Sequence, residues 1–155
     1  MIGIEEISVG NTGDFWDEHI KYLVDDGIIS DPEDIEYFSG DEYRGILLEH
    51  MKRDRNRHHM VWFIREGKRI GAASFCTYED EDGKCFILDF GVFPPFRGSG
   101  TGHLCFEALR QYTGNGGAGW YEINSTKEDS VRFWRSLGFV ENGTDEYGMP
   151  LYILK

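Results

Sequence analysis

The sequence predicts one α/β domain, a mixed α+β arrangement around a single sheet, and three observations carry the prediction. Strand-length apolar runs recur at 60–65, 70–78, 85–92, 120–125 and 149–153. Stretches with apolar residues at helical spacing precede them and then alternate with them, at 14–26, 41–51, 102–112 and 129–137. The length of 155 residues, with 40% hydrophobic and 15% aromatic content, suits one domain with a proper core. No internal repeat and no linker marks a second domain.

The elements follow in order. Residues 4–9 alternate weakly and read as a first strand or a lead-in. Between Asp14 and Asp26, apolar residues at 15, 16, 20, 23 and 24 predict a helix, which the stretch 25–32 breaks. Asp41 is the expected N-cap of a second helix through Met51, with Ile46, Leu47, Leu48 and Met51 inward. Residues 53–59 read as a polar, basic connection, with His58 and His59 solvated. Strands at 60–65 and 70–78 flank the turn Glu66-Gly67-Lys68-Arg69. A second, acidic turn over 79–84 leads into the strand 85–92. A helix over 102–112 turns Leu104, Cys105, Ala108 and Leu109 inward. After a glycine-rich loop at 114–119 come a strand at 120–125, a helix at 129–137 stopped near Gly138, and one last alternating strand.

Charge is unevenly placed. Residues 1–50 hold 14 Asp and Glu against Lys21 and Arg44, while residues 51–155 are balanced, so the net charge of −12 belongs to the N-terminal third. Such a surface repels nucleic acid and anionic membranes and attracts cations. It is read either as a pair of solvated helices or as one wall of a site for a cationic substrate. No apolar run reaches the roughly 20 residues that span a bilayer, and the first residues lack a signal-peptide pattern, so cytoplasmic residence is expected. Cys76, Cys85 and Cys105 are expected to be reduced and buried, and no metal site is expected.

The segment Arg97-Gly98-Ser99-Gly100-Thr101-Gly102 carries the chemistry. Three alternate glycines free the backbone to aim N–H groups at an anion, and the following helix adds the positive end of its dipole. Arg97 adds forked donors suited to phosphate oxygens. Two phosphate sites fail to match. A nucleotide P-loop needs a lysine where His103 stands, and a dinucleotide fingerprint needs a wider glycine spacing and a tighter turn from its strand.

A third pattern fits. Val92, Pro94, Arg97, Gly100 and Gly102 resemble the coenzyme motif of the GNAT superfamily of N-acetyltransferases. Downstream, Ser130 to Phe139, ending Leu137-Gly138-Phe139, resembles a second segment of the same superfamily. The resemblance implies a central sheet, mixed but mostly antiparallel, whose two central parallel strands splay apart between flanking helices. It places acidic acceptor-side helices in residues 1–56, and the meander and coenzyme-binding core in residues 60–155. It implies acetyl-CoA as the cofactor, with Phe90, Gly91 and Val92 bonding the pantetheine arm. Arg97, Gly98, Ser99, Gly100, Thr101 and Gly102 would hold the pyrophosphate, and Asn124, Lys127, Ser130, Phe133 and Trp134 are the other expected coenzyme-binding residues. The expected reaction is direct attack of a primary amine, on a small cationic molecule or a basic side chain, on the thioester. A non-catalytic acyl-CoA-binding sensor or interaction domain of the same fold is the alternative. Homodimers are common among the proteins it resembles.

The chain departs from that superfamily at the helix tyrosine that often protonates the leaving thiolate, which is Trp134 here. Indole N–H donates but does not titrate. Lys127 stands where asparagine is common, as a coenzyme ligand or a solvated lysine. The candidate base is Asp89, since a carboxylate inside an apolar strand needs a partner or a task. Tyr121, Asn124, Ser125, Tyr147 and Tyr152 are weaker candidates around the cleft. Trp16, Trp62 and Trp120 read as core, and Phe15-Trp16 with Tyr37-Phe38 as a conceivable aromatic acceptor pocket.

Overall fold

In the computed structural model, which describes residues 1–155, the apolar runs assemble into one seven-stranded sheet. The strands are β1 (Gly3–Glu6), β2 (His58–Arg65), β3 (Lys68–Tyr78), β4 (Lys84–Val92), β5 (Trp120–Asn124), β6 (Val140–Thr144) and β7 (Pro150–Leu154), ordered β1-β2-β3-β4-β5-β7-β6. All neighbours are antiparallel except β4 and β5. Five helices flank the sheet: α1 (Gly13–Asp25), α2 (Pro32–Ser39), α3 (Asp41–Met51), α4 (Thr101–Asn115) and α5 (Glu128–Ser136).

Strand alternation builds a core on each face. On β2, Val61 and Phe63 point to α4 and α5, meeting Cys105, Phe106, Leu109 and Trp134. Met60 and Trp62 point the other way, to Phe15 and Trp16 of α1 and Leu47 and Met51 of α3. Pairing of β4 with β5 covers Lys84–Phe86 against Trp120–Glu122 and then stops, although β4 runs on to Val92. The two central strands therefore diverge. β4 also carries a bulge: Ser74 opposes Asp89 and Phe75 opposes Ile87, which leaves Leu88 as the extra residue.

Several expectations are corrected. The acidic third holds three helices, because Asp31 caps an additional one: its carboxylate accepts from Glu33 N–H at 2.8 Å, with Pro32 in the first turn. Gly40, not Asp41, caps α3. Ile46 and Leu104 face solvent, and Phe106 fills the inner face of α4 instead. The C-terminal segment is a hairpin, with the exposed strand β6 preceding β7; its Val-Glu-Asn-Gly-Thr sequence has no buried face and so no alternation to read. His58 is buried, not solvated, because it begins β2 against Cys76 of β3. Trp16 and Trp62 are core as expected, whereas Trp120 is half-buried at the end of the sheet, its indole bonded to the Glu81 carbonyl. The three cysteines are free and buried.

Candidate functional site

Where β4 and β5 part, a cleft of about 990 Å³ opens. Its walls are β4 from Ile87 to Val92, the ends of β5 and α5, the glycine loop, and the last turn of α1 with its following loop.

The glycine loop forms the rim. Gly98, Ser99 and Gly100 have φ of +96°, +53° and +76°, three successive left-handed residues that a chain without glycines would resist. The turn leaves the N–H groups of Ser99, Gly100, Gly102 and His103 without backbone or side-chain acceptors, at the N-terminus of the 15-residue α4. These are the orphan donors and positive dipole end that suit a phosphate group. A Cβ on Gly102 would stand 2.8 Å from Phe133 Cε1, so the loop packs directly on α5.

Most of the expected site residues meet in this cleft. Phe90, Gly91, Val92, Arg97, Gly98, Gly100, Thr101, Gly102, Asn124, Lys127, Ser130, Phe133 and Trp134 all line it; the exposed Ser99 does not. Trp134 is nevertheless mostly core, edge-on to Phe106 and Phe139 at 5.8 and 5.0 Å. The Asn124 amide is spent on Asp145 and the Pro150 carbonyl. Ser125 lines the cleft and donates to Ser130. Tyr121, Tyr147 and Tyr152 stay outside it: Tyr121 is tied to Thr113 in the core, Tyr152 is buried, and Tyr147 is in solvent. Phe15 and Trp16 are core, so only the Tyr37–Phe38 half of the expected aromatic pocket remains, with Tyr43 packed on Phe38 at 4.8 Å.

Arg97 is engaged inside the chain. Its Nε donates to the Val92 carbonyl at 2.7 Å, and its fork grips the Asp26 carboxylate at 2.8 and 3.2 Å. Lys127 donates to the Asp26 main-chain carbonyl. The loop after α1 thus lies against both permanent cations of the cleft.

Asp89 sits on the α1 face of the same cleft. One oxygen accepts from Ser74 Oγ at 2.8 Å and the other lies 3.2 Å from Nε2 of His19. Burial works against its charge, but the hydrogen bond and attraction of His19, the Ser74 hydroxyl and the pull of His58 outweigh it, and Asp89 is held below the usual carboxylate range. Tyr22 and Tyr43, also at the cleft, are raised by burial first and the Asp89 charge second, so both stay neutral phenols.

His19, Tyr22, Asp26 and Tyr43 are among the cleft residues that sequence reasoning passed over. The signal was present for His19: buried positions on α1 are 15, 16, 19 and 23, so a histidine occupies a slot on the inward face.

Residues 24–139 match the sequence model of the acetyltransferase (GNAT) family. The chain belongs to that family. Coenzyme A is the family's cofactor, supplying the acetyl group as acetyl-CoA. Solved structures with the same fold include the PaiA N-acetyltransferase of Thermoplasma acidophilum in complex with coenzyme A, at 14% identity and TM-score 0.72 over 100% of this chain and 99% of that one. N-acetylglutamate synthase of Neisseria gonorrhoeae, with coenzyme A and N-acetyl-glutamate, matches at 14% identity and TM-score 0.64, over 99% of this chain and 34% of that one. An aminoglycoside acetyltransferase from an uncultured soil metagenomic sample, with sisomicin, matches at 18% and 0.58 over 87% and 86%. A search of curated proteins finds no relative. No helix is long and apolar enough to cross a membrane.

Proposed function

We propose that this GNAT chain is an N-acetyltransferase that moves an acetyl group from acetyl-CoA to a primary amine, on a small cationic molecule or a basic side chain. One observation carries the reading: the parted β4–β5 fork, the free N–H cradle and the buried Asp89 all open into one cleft. Those residues fit coenzyme A. Ser99 to His103 would take the pyrophosphate on backbone donors, and the unpaired stretch of β4 would bond an extended arm as an adjacent strand does. When bound, the coenzyme supplies an activated acetyl thioester. The chain's own part is to hold the acceptor over that group, exclude water and remove a proton from the ammonium form of the amine.

The preference for a cationic acceptor is supported by lining charge. Asp25, Asp26, Asp89 and Asp129 face the cleft, against the cations Arg97 and Lys127, which Asp26 already occupies. Of the twelve other acids of the first 50 residues, six lie on α2 and α3, all of them exposed. Trp134 favours the alternative of a non-catalytic binding domain, since it leaves the cleft without the usual helix phenol.

Calorimetry with acetyl-CoA, followed by thiol release across cationic, neutral and acidic amine acceptors, tests the proposal. Binding with turnover favouring cationic amines is the expected outcome. No binding at millimolar coenzyme refutes the donor, tight binding without thiol release favours the alternative, and preference for acidic acceptors refutes the acidic wall.

A further inference from the structure

Leu88 is the bulged residue of β4, and its side chain is 43% exposed in the cleft, although Ile87 before it is core. Bulges beside functional sites re-aim a side chain. A lone exposed leucine needs no explanation, but Leu88 has company. Phe38 from α2, Tyr43 from α3 and Met149, 41% exposed just before β7, line the same cleft. Phe38 and Tyr43 pack edge-on at 4.8 Å, and Tyr43 stacks on His19, which holds Asp89. Met149 precedes Pro150, whose carbonyl accepts from Asn124 at the end of β5. Four elements thus bring apolar side chains to the part of the cleft around Asp89. At the usual strand rise, Asp89 stands about 10 Å before Val92, where the chain turns towards the glycine loop.

Charge at this end has one sign. Asp89 is held in its charged form, and its side chain is 13% exposed. The permanent cations of the cleft stand elsewhere: Arg97 by the glycine loop and Lys127 at the start of α5, both held by Asp26. The other cleft aspartates, Asp25 and Asp129, belong to the end of α1 and the first turn of α5. An amine brought to Asp89 therefore meets one negative charge and an apolar wall, with no free cation for a carboxylate of its own.

We infer that the acceptor is a primary amine with a compact apolar body and no carboxylate, its ammonium drawn to Asp89 and its body laid against Phe38, Tyr43, Leu88 and Met149. The inference rests on the acetyl-transfer reading above and names the substrate class of that same site. An apolar body covers the exposed carbons of the wall, whereas a second charge laid there gives up water for no partner. Transfer forms the amide C–N bond and breaks the thioester C–S bond, whose electron pair passes to sulfur. Of the two protons that leave the ammonium, one ends on the thiol and one in solvent.

Matched amines test the inference in the acetyl-transfer assay. Pentylamine and putrescine have nearly the same length and differ in a methyl group against a second ammonium. Phenethylamine and phenylalanine differ in the carboxylate alone. Pentylamine and phenethylamine are each expected to exceed their partner in kcat/KM by about 10-fold or more. Calorimetry of pentylamine with the chain and coenzyme A, where no transfer takes place, should give a negative heat-capacity change. Leu88→Gln is expected to raise KM for pentylamine about 10-fold and to narrow its lead over putrescine, with coenzyme A affinity retained. If Leu88→Gln does not fold, Met149→Gln carries the same test. Equal or faster turnover of putrescine or phenylalanine, a heat-capacity change near zero, or an unchanged lead in a folded variant overturns the inference and leaves acetyl transfer standing. A chain that binds coenzyme A and acetylates none of the four amines removes the functional reading and this inference together.

Discussion

Asp26 is expected to compete with the coenzyme for its own site, and Asp26→Asn measures the competition. The carboxylate holds the Arg97 fork at 2.8 and 3.2 Å, with the two side chains 26% and 44% exposed. At that exposure the pair contributes about 1 kcal/mol or less, well below the Coulomb value for a buried contact. A coenzyme phosphate drawing on Arg97 must offset that loss and also meet the Asp26 charge. Neutralising Asp26 returns up to about 1 kcal/mol, which is about fivefold tighter binding. Calorimetric titration of coenzyme A into wild type and Asp26→Asn reads the ratio. Repetition at about 0.5 M salt should shrink it, as screening requires, and pantetheine, which carries no phosphate, should show no ratio at all. Equal or weaker coenzyme binding by Asp26→Asn refutes the competition. It would mean that the Arg97–Asp26 pair persists when the coenzyme is bound and that the cradle works through backbone N–H groups alone.

Gly102→Ala forces a Cβ to within 2.8 Å of Phe133, and is expected to cost about 1–3 kcal/mol by overpacking and to weaken coenzyme binding; denaturant unfolding and calorimetry check the two effects. Trp134→Ala empties a site bounded by Phe90, Phe106, Phe133 and Phe139, for a loss of about 3–5 kcal/mol and a fall in Tm of about 10 °C. Asp89 is held below its ordinary value, so its charged form stabilises the fold above the unfolded value of about 3.9 and that contribution fades as pH falls through the folded value. Denaturant unfolding should therefore find Asp89→Asn less stable than wild type at pH 7, with the gap narrowing below about pH 4; a gap that widens in acid would contradict the pairing with His19 and Ser74.

Legibility followed locality. Strand runs such as Met60–Arg65 and the glycine loop could be read because period, β-branching and glycine spacing act within a few residues. The helix α2 was passed over although its Asp31-Pro32 start is a local signal, because its residues are mostly polar and none is buried. The strand β6 was passed over because it is exposed throughout and pairs on one side only. His19 was legible only as a polar residue on an inward face; its partner lies 70 residues away on β4.

The sequence by itself determined the elements of the coenzyme side. Its glycines allow the left-handed turn that Gly98, Ser99 and Gly100 make before α4, and the orphan N–H groups follow from helix geometry wherever that helix is placed. It also determined that Asp89 needs a partner, because a carboxylate is costly inside an apolar strand. Only the tertiary structure decided which partner. Packing of α1 on the sheet brings His19 to Asp89, the pairing of β3 with β4 brings Ser74 to it, and the loop after α1 brings Asp26 to Arg97 and Lys127. Those contacts span 15 to 101 residues of chain. Nothing local encodes them; they arise because two cores, one on each face of the sheet, fix the helices over the parting strands.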